Sequence, residues 1–573
     1  MEQFFAFGNI MIRCAAANKK AFINSVLSSL LHAVISFLLT YIIQIYVDSS
    51  LNTGFKDAAL FTIAFGIVVV ISQLCMTINN YLFDSFEYKI KETLIEMLHE
   101  KISKISAEDL ENPQVLDRIS KAQNGVEGYI YVYSLVHMLV FFYLPYFIGI
   151  ELYLVRLSVK LAFIIIFIFI PEALAQFFKV HLFDSLEDDT VEESRMHKIL
   201  EESIIDRKYY KESRINNAYV FLRDRLSKNM YTLAAKKMNA EKKSTFQGAI
   251  LKLLTASGQM FAIYSLIVSV TNDEISIGAF AAVFEAIILI TAYLQEIISV
   301  HLGRIVKKAG LVKNFNNMVK STFNQPDVNV IQGDEIVLKG VSYCYPCINK
   351  KVLDNINLTI RKGESIAIVG YNGAGKTTLS KIILGLLEPT TGTILFGNSF
   401  VHEGELMCSA LFQKYEQYKL SIKDNIIIAD HFRYKEDDVM DKISRCGIDI
   451  SKLANREQTI LSPEFGGIEL SGGMWQRLSL ARAKYKPGNY IILDEPTASI
   501  DPMEESKLYN DISDTAKART LLLVTHRIGA ARLCDRIIVL DKGKIVEDGT
   551  HEELLKQKKF YYRMFSEQAK WYV

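Results

Sequence analysis

Two long runs without a charged side chain constrain this 573-residue chain more than any other feature. Ala21–Val47 and Ala58–Phe83 contain no Asp, Glu, Lys or Arg. Each is longer than the ~20 residues that a helix needs to cross the hydrocarbon core of a bilayer, and both are too long for the core of a signal peptide. The runs therefore predict membrane-spanning helices.

Four further apolar segments extend this prediction to a membrane α-helical bundle of six transmembrane helices. These segments are Tyr129–Ile150, Leu161–Phe178, Leu253–Asn272 and Ile275–Gln295. Half of all residues are apolar, and the mean hydropathy is +0.16, which is unusual for a soluble protein of this size. We therefore expect a multi-pass protein whose first partner is the lipid bilayer.

Charge and cysteine content exclude other classes of protein. The 65 Lys and Arg residues balance 64 Asp and Glu residues, so no net field attracts nucleic acid, and no nucleic-acid partner is expected. The seven cysteines are an odd number scattered from Cys14 to Cys534. We therefore expect reduced thiols rather than a disulfide framework.

The distribution of Lys and Arg predicts that both termini are cytoplasmic. Three basic residues precede the first span, whereas the loop after it holds two Asp and one Lys. Arg156 and Lys160 lie in a predicted external loop and oppose this orientation. In this topology the two long charged stretches, Asp84–Glu127 and Lys179–Lys243, lie in the cytoplasm.

The charged stretches are predicted to extend the membrane helices far into the cytoplasm, because Glu, Lys, Leu and Ile recur at helical spacing. This holds for Asp84–Ile105 and Val191–Glu212. A turn-like patch interrupts each stretch, Ser106–Pro113 in the first and Lys211–Asn217 in the second. Two short loops are therefore expected at the bottom of the bundle.

The composition of the sequence changes after Ser321. Short β-branched runs divided by Gly and Asp predict strands at Glu335–Leu338, Ile356–Ile360 and Ser365–Val369. We therefore predict a membrane domain at residues 1–320 with six helices and two long cytoplasmic loops, a linker at 321–333, and an α/β domain at 334–573.

The third of these strands runs directly into the sequence GYNGAGKTT at residues 370–378, which is followed by a predicted helix at Leu379–Leu387. This is the G-x-x-x-x-G-K-T motif in the strand, loop and helix context that a P-loop requires. Backbone N–H groups of such a loop cradle phosphates, with the dipole of the helix behind them. Candidate binding residues are Asn372, Gly373, Ala374, Gly375, Lys376, Thr377 and Thr378.

Within this loop, Lys376 is expected to supply a positive charge for the β and γ phosphates, and Thr377 a hydroxyl ligand for Mg²⁺. A second element of the phosphate site lies downstream, where an apolar run at residues 490–493, typical of a buried strand, is followed by Asp494 and Glu495. Asp494 is placed to hold Mg²⁺ through water, and Glu495 to polarise an attacking water. The α/β domain is therefore predicted to be a P-loop NTPase cassette.

Further motifs resemble those of ATP-binding cassette (ABC) proteins, in the family's order. The signature is Leu470-Ser471-Gly472-Gly473, the adenine-stacking aromatic is Tyr345, the Q-loop glutamine is Gln413, the D-loop is Ser499-Ile500-Asp501, and the switch histidine is His526. With the preceding membrane domain, the chain resembles a half-transporter of the exporter type over nearly its whole length. The two turn-like patches match the family's coupling helices.

The resemblance implies an ATPase that uses ATP and Mg²⁺ and works as a dimer, because the family builds each site from the P-loop of one cassette and the signature of the other. Glu495, His526 and Gln413 take catalytic roles in this scheme. Ser471, Gly472 and Gly473 contact the nucleotide, and Thr377, Gln413 and Asp494 serve the metal. Since every motif for hydrolysis lies on one chain, two identical copies give two competent sites, and a homodimer is expected.

Two departures from simple patterns need an interpretation. Met474 stands where the family usually has Gln after LSGG. Met is unbranched and fits varied packing, so tolerance is favoured over impaired catalysis. Cys344 and Cys347 form a C-x-x-C, but no second Cys or His pair accompanies it, so accidental spacing is favoured over a redox or zinc site.

An ATP-driven exporter working by alternating access in a bacterial cell membrane is the favoured function. The alternatives are an importer of the same fold, as in siderophore uptake, and a non-transporting regulator or gated channel. The first span begins close to Met1, so no N-terminal peptidase domain and no leader cleavage are expected. The segment at residues 465–473 looks like a variant frequent in exporters of modified peptides, with multidrug or lipid export as the alternative.

Two carboxylates lie deep inside predicted spans, Glu285 in the sixth and Glu172 after Pro171 in the fourth. A charge at such depth is costly, so neither should face lipid. Glu285 is expected to line the cargo cavity, where Gly278 and its small neighbours would leave room, and to favour a cationic peptide. For Glu172 a structural role is equally consistent with the sequence.

Overall fold

The computed structural model of the chain describes residues 2–52, 55–168, 170–171, 174–175, 178, 182, 186, 189–206, 209–297, 303–323, 328–345, 350–402, 405–432, 435–445, 450–497 and 519–570. The chain divides into two compact units. Unit 1 comprises Met1–Ser103 and Asp117–Thr322, and unit 2 comprises Lys104–Leu116 and Phe323–Val573. Residues 104–116 therefore group with the C-terminal part of the chain, although they lie between helices of unit 1 in the sequence.

The N-terminal part of the chain is helical. Its helices are α1 (Glu2–Ala17), α2 (Lys19–Asn52), α3 (Phe55–Ile102), α4 (Ala107–Leu110), α5 (Pro113–Met138), α6 (Leu144–Leu157), α7 (Val159–Ile168), α8 (Val191–Ile205), α9 (Tyr210–Ile215), α10 (Tyr219–Thr271), α11 (Ile277–Gln295) and α12 (Gly303–Lys320). A π-helical turn at Leu139–Tyr143 joins α5 to α6. It lies just before Pro145, whose backbone nitrogen carries no hydrogen to donate.

Five helical segments within the described ranges are long and apolar enough to cross a membrane. They lie in α2, in α3, in α5 continued by α6, in α10 and in α11. The predicted fourth span, Leu161–Phe178, coincides with α7 up to Ile168, and several residues beyond that point, Glu172 among them, lie outside the described residues. The helical membrane domain is thus confirmed, while the count of six spans stays a prediction at the fourth.

The predicted helical extensions are present but shorter than expected. The extension of α3 ends at Ile102, where Ile105 was predicted, and α8 ends at Ile205, where Glu212 was predicted. The backbone of Asp206 is extended, so the helix ends there. The second turn-like patch is itself helical, as α9, and ends at Asn217, which has a positive φ of 49°.

Unit 2 contains the strands. They are β1 (Val330–Ile331), β2 (Glu335–Tyr343), β3 (Leu353–Arg361), β4 (Ser365–Val369), β5 (Thr391–Gly397), β6 (Val401–His402), β7 (Glu405–Leu406), β8 (Cys408–Leu411), β9 (Tyr490–Asp494), β10 (Thr520–Val524), β11 (Arg536–Asp541) and β12 (Lys544–Gly549). The predicted strand at residues 365–369 is confirmed at both ends, and two other strands are longer than predicted because antiparallel pairing extends them.

The central sheet of unit 2 has six strands in the order β12-β11-β4-β10-β9-β8. β11, β4, β10, β9 and β8 are parallel, and β12 pairs antiparallel with β11. Every residue of β4, β9 and β10 is buried, as expected for parallel strands covered on both faces. Since parallel strands end at one edge, the residues after β4, β9 and β10 come together there. A second sheet has the order β1-β5-β2-β3.

The remaining helices of unit 2 surround these sheets. They are α13 (Lys376–Ile383), α14 (Ile422–Ile427), α15 (Glu436–Arg445), α16 (Gly472–Tyr485), α17 (Ile528–Ala531), α18 (His551–Gln557) and α19 (Phe560–Ala569). The helix after the P-loop, predicted at residues 379–387, begins at Lys376 and ends at Ile383, because Gly385 adopts a left-handed conformation with φ 69°. α14, α15 and α16 enclose a separate apolar cluster around Trp475.

Candidate nucleotide-binding site

The P-loop connects the end of β4 to the start of α13. Gly375 is the N-cap of α13 and has a φ of 102°, which favours glycine. A Cβ at this position would also lie 2.9 Å from the carbonyl oxygen of Val352 and 2.8 Å from Leu353. The tight turn and the close backbone therefore both require glycine here, and the turn leaves the N-terminus of α13 open to an anion.

Lys376 lies inside this loop with only 7% of its surface exposed. Its ammonium donates to the carbonyl oxygens of Gly370, at 2.8 Å, and Tyr371, at 3.1 Å. Burial lowers the pKa of Lys376, an effect that the nearby carboxylates of Glu495 and Asp494 oppose. The lysine is thus held by neutral acceptors within the loop, which a phosphate would outcompete as a hydrogen-bond acceptor.

Two of the three residues predicted to serve the metal, Thr377 and Asp494, are adjacent in the structure, whereas Gln413 bonds to Glu495. The Thr377 hydroxyl donates to Asp494 Oδ2 at 2.9 Å. Asp494 is the last residue of β9 and is buried, and burial raises the pKa of its carboxyl, while the hydrogen bond from Thr377 lowers it. One carboxylate and one hydroxyl match the way proteins bind Mg²⁺, which usually takes few protein ligands together with phosphate oxygens and water.

Glu495 is held from two sides. Gln413 Nε2 donates to its Oε2 at 2.7 Å, and Nδ1 of His526 lies 2.9 Å from its Oε1. The backbone of Glu495 has a φ of 50°, which is uncommon for a residue with a side chain and is often found at functional sites. The three residues predicted to be catalytic are therefore brought together at the edge where β8, β9 and β10 end.

These residues line a cavity of about 750 Å³. Gly370, Asn372, Gln413, Glu495 and His526 all contribute to its wall. The signature residues Ser471–Gly473 are not among the described residues that line it. Ser471 is instead an exposed N-cap of α16, and its side chain accepts from the backbone N–H of Met474. The Met474 side chain packs against the apolar cluster around Trp475.

Tyr345, predicted to stack on adenine, lies beside the P-loop helix. Its hydroxyl is 3.2 Å from that of Thr378. Its ring meets Tyr343 edge to face, with 5.0 Å between the ring centroids. The Tyr343 hydroxyl in turn donates to Glu108 Oε1 at 3.3 Å, so an aromatic pair joins the P-loop helix to α4.

The first turn-like patch makes polar contacts within unit 2. Glu108 Oε2 accepts from the backbone N–H of Glu388 at 3.1 Å, and Glu111 pairs with Lys381 at 2.6 Å. The hydroxyl of Ser106 caps α4 by accepting from the backbone N–H of Asp109. This short helix therefore lies against the segment that follows the P-loop helix.

The sequence interpretation missed several residues that contact or line the candidate site. Gln476 Nε2 donates to the backbone carbonyl of Glu495 at 3.2 Å, so α16 holds the residue after β9. Met564, Glu567 and Gln568 of α19 line the same cavity as the P-loop. No local motif marks them, because their position depends on how α19 packs against the sheet.

The predicted cargo residues lie in unit 1 or outside the described residues. Glu285 is half-buried in α11 and accepts a hydrogen bond of 3.0 Å from the Thr40 hydroxyl of α2. The expected room at Gly278 is absent, since a Cβ there would lie 2.3 Å from the carbonyl oxygen of Gln44. Helix α2 occupies this space, and its Asp48 accepts a hydrogen bond of 2.8 Å from the backbone N–H of Gly278. Glu172, the D-loop at 499–501 and Cys347 lie outside the described residues.

Comparisons with known proteins agree with this arrangement. Residues 353–498 match the family model described as ABC transporter. The chain is 29% identical over 372 residues to the nisin transport ATP-binding protein NisT of Lactococcus lactis subsp. lactis, an alignment that covers 62% of each protein. It is 27% identical over 564 residues to the mesentericin-Y105 transport/processing ATP-binding protein MesD of Leuconostoc mesenteroides, covering 95% of this chain and 76% of that relative.

The nisin relative is thus matched over less than two thirds of its length. Among solved structures, a bacterial Atm1-family ABC exporter with ATP bound superposes with a TM-score of 0.70 at 18% identity, covering 95% of this chain and 99% of that chain. At this identity the superposition shows the fold alone. The chain therefore contains a segment, residues 353–498, that matches the ABC transporter family model, and it shares the fold of a solved bacterial ABC exporter.

Proposed function

We propose that the protein is an ATP-hydrolysing exporter of the cell membrane that works as a homodimer by alternating access. The observation that carries this proposal is the convergence of Gln413 and His526 on the carboxylate of Glu495, beside a buried P-loop lysine. A cassette that only bound ATP would not need an aligned base at the edge of the sheet. This arrangement favours hydrolysis over the role of a non-transporting regulator.

In this mechanism the backbone N–H groups of residues 373–378 and the ammonium of Lys376 bind the phosphates of ATP, with the ring of Tyr345 against the adenine. Glu495 accepts a proton from the attacking water through its carboxylate. The water must reach the γ-phosphate, so the contacts of Glu495 with Gln413 and His526 must loosen or rotate when ATP enters. Mg²⁺, when held by Thr377 and Asp494 with Gln413 nearby, would neutralise developing charge on the phosphates.

Dimer formation is supported by the exposed signature. Ser471 and Gly472 are exposed at the N-terminus of α16 and outside the cavity wall, so a second chain can bring its own signature to the nucleotide. The second turn-like patch offers further support. Ile215 within this patch is 82% exposed, and Tyr210 and Tyr219 beside it are 47% and 58% exposed, which leaves an apolar surface for a partner.

A groove on the cassette fits this surface. It has a volume of about 320 Å³ and is lined by Leu386, Phe412 and Ile428, among others. Phe412 directly precedes Gln413, so a helix docked there would contact the segment that bears the Q-loop glutamine. We propose that the second patch of one copy docks in this groove of the other. ATP-driven closure of the cassettes would then change the membrane domain, because ATP binds the two conformations with different affinity.

For the cargo we propose a cationic, modified peptide. Two relatives are named for the transport of nisin and of mesentericin Y105, and Glu285 places a carboxylate within a membrane-spanning helix. The hydrogen bond from Thr40 shows one way in which Glu285 is satisfied without cargo. A basic group entering between α2 and α11 would replace that hydroxyl with a stronger, charge-assisted bond.

Reconstitution in proteoliposomes tests the function. Cassettes that face outward are driven by ATP and Mg²⁺ added outside, and nisin and a neutral peptide of similar size serve as probes. Accumulation of nisin in the lumen that depends on ATP and is lost in Lys376→Ala supports export of basic peptides. ATP-driven release from preloaded vesicles would instead indicate import, and hydrolysis without movement of any probe would reject this peptide cargo.

Glu285→Gln tests the role of the carboxylate. It should lower the stimulation of ATPase activity by nisin while basal turnover persists, because the amide keeps the contact with Thr40 but loses the charge. Glu274→Gln, at the end of the neighbouring loop, is the matched control. Equal stimulation in wild type and Glu285→Gln would make Glu285 a structural residue.

A further inference from the structure

The side chain of His526, the predicted switch histidine, is only partly enclosed by its surroundings. The side chain of His526 is 48% exposed, whereas the Glu495 side chain that it faces is 10% exposed. β10 ends at Val524 and α17 begins at Ile528, so residues 525–527 lie in neither a strand nor a helix. A half-exposed imidazole at 2.9 Å from a carboxylate therefore depends on its backbone for its position.

The side-chain amide of Gln568 holds that backbone at two points. Gln568 Nε2 donates to the carbonyl oxygen of His526 at 2.5 Å, and Gln568 Oε1 accepts from the backbone N–H of Ile528 at 2.9 Å. The two bonds bracket Arg527, whose own N–H donates to the Thr525 hydroxyl at 3.0 Å. One amide thus satisfies both groups that the end of β10 and the start of α17 leave open.

The helix that carries Gln568 is itself fixed to the cassette. The carboxylate of Glu547, on β12, accepts from the backbone N–H groups of Phe560 and Tyr561 at 2.7 and 2.8 Å, which caps the start of α19. The Tyr561 ring is fully buried, and its hydroxyl lies 2.7 Å from Nδ1 of His551. Gln568 therefore projects from an anchored element, so its amide can hold the neighbouring loop.

α19 also meets the opposite wall of the cavity. The Phe560 ring contacts the ring of Tyr371 in the P-loop edge to face, with 5.4 Å between the centroids. Phe560 and Gln568 lie eight residues apart in the same ten-residue helix. One helix thus contacts both the P-loop and the segment that bears the switch histidine.

We propose that Gln568 is a positioning residue for ATP hydrolysis, which sets the imidazole of His526 against Glu495 by holding the backbone of residues 526–528. The inference rests on the proposed function, since it needs His526 to act in hydrolysis. Gln568 does not need to touch ATP in this role. Its loss should lower the rate of hydrolysis and leave the affinity for ATP nearly unchanged.

The experiment uses the full-length protein in detergent or nanodiscs. Gln568→Ala removes both hydrogen bonds. Gln568→Glu keeps the size of the side chain and the acceptor for Ile528, but it loses the donor and sets a carboxylate against the His526 carbonyl. Arg563→Ala, at an exposed position on the same helix, is the matched control. Both Gln568 variants should lower kcat about 5- to 30-fold, the size expected for one or two hydrogen bonds.

A double-mutant cycle with His526→Ala separates positioning from general stabilisation. Single-turnover hydrolysis with enzyme in excess measures the slow variants. If Gln568 acts through His526, then Gln568→Glu has no further effect in the His526→Ala background. A 5-fold or greater further loss in that background, or wild-type kcat in Gln568→Glu, would overturn the inference.

Two further readouts distinguish positioning from nucleotide binding and from folding. The dissociation constant of a fluorescent ATP analogue and the Tm should stay close to wild type in Gln568→Glu, and a tenfold weaker affinity would show that the residue serves binding instead. If His526→Ala itself hydrolyses ATP at the wild-type rate, the proposed role of His526 fails. If His526→Ala is slow and both Gln568 variants are normal, the inference on Gln568 fails alone.

Discussion

Replacing Glu495 by Gln is the sharpest test of the catalytic site, because the structure predicts that the shape of the site survives. The amide oxygen can accept from Gln413 Nε2, and the amide nitrogen can donate to Nδ1 of His526, so the contacts now at 2.7 and 2.9 Å both persist. The general base is lost, since an amide does not accept a proton at neutral pH. Removing a general base costs about 10²- to 10⁴-fold in rate, or about 3 to 5 kcal/mol of barrier.

The loss of the charge has a second, smaller effect on the neighbouring groups. Glu495 now raises the pKa of both Asp494 and Lys376 by its negative charge. In Glu495→Gln the pKa of Asp494 therefore falls, which keeps this carboxylate ionised for the metal, and the pKa of Lys376 falls further. Binding of ATP with Mg²⁺ should stay within a few-fold of wild type, because the metal ligand Asp494 and the loop remain.

The assay is release of inorganic phosphate from the purified protein, with gel filtration and nucleotide analysis after incubation with ATP and Mg²⁺. We expect turnover to fall at least 100-fold and unhydrolysed ATP to stay bound to a closed dimer. Glu552→Gln, an exposed position on α18, controls for the loss of a carboxylate and should match wild type. Turnover of Glu495→Gln within threefold of wild type would refute the role of Glu495 as the base.

Three further predictions follow from other parts of the molecule. Lys376→Ala should weaken ATP binding at least tenfold, measured with a fluorescent analogue, and full affinity would contradict the P-loop assignment. Glu108→Ala should leave ATP binding intact but reduce stimulation of hydrolysis by cargo, since it removes the acceptor of the Tyr343 hydroxyl; unchanged stimulation would show that this contact carries no signal. After replacement of the native cysteines, a cysteine at Asn272 should react with an impermeant thiol reagent from outside the cell and one at Asn217 should not, and the reverse labelling would overturn the topology.

The parts of the fold that sequence could predict are those whose cause is local. β4 is predicted at Ser365–Val369 because the four apolar residues after Ser365 run directly into a glycine loop, and parallel strands covered on both faces show this pattern. The positions of Lys376, Asp494 and Glu495 are predictable for the same reason, since Asp494 ends such a strand and the other two lie in segments that follow one. The end of α13 is less predictable, because the apolar residues continue beyond Ile383 and only the backbone of Gly385 ends the helix.

Contacts between distant residues could not be predicted from local patterns. Gln568 lies 42 residues from His526, and Glu285 lies 245 residues from Thr40. In the sequence, a glutamine near the end of a helix looks the same whether or not a loop lies beside it. The room expected at Gly278 is absent for a related reason, since small residues in a helix allow either a cavity or the close approach of another helix, here α2.

The grouping of residues 104–116 with the cassette has a consequence for how the protein is made. The ribosome completes α4 long before Tyr343 and Glu388, which lie 235 and 280 residues beyond Glu108. The native contacts of the cassette are therefore not all contained in its own contiguous segment, since they include a helix that is synthesised with the membrane-spanning part. A cassette expressed alone from residue 323 would lack Glu108, which accepts from the Tyr343 hydroxyl and from the backbone N–H of Glu388. Studies of an isolated cassette should thus supply residues 104–116 in trans, as a peptide, to restore its native stability.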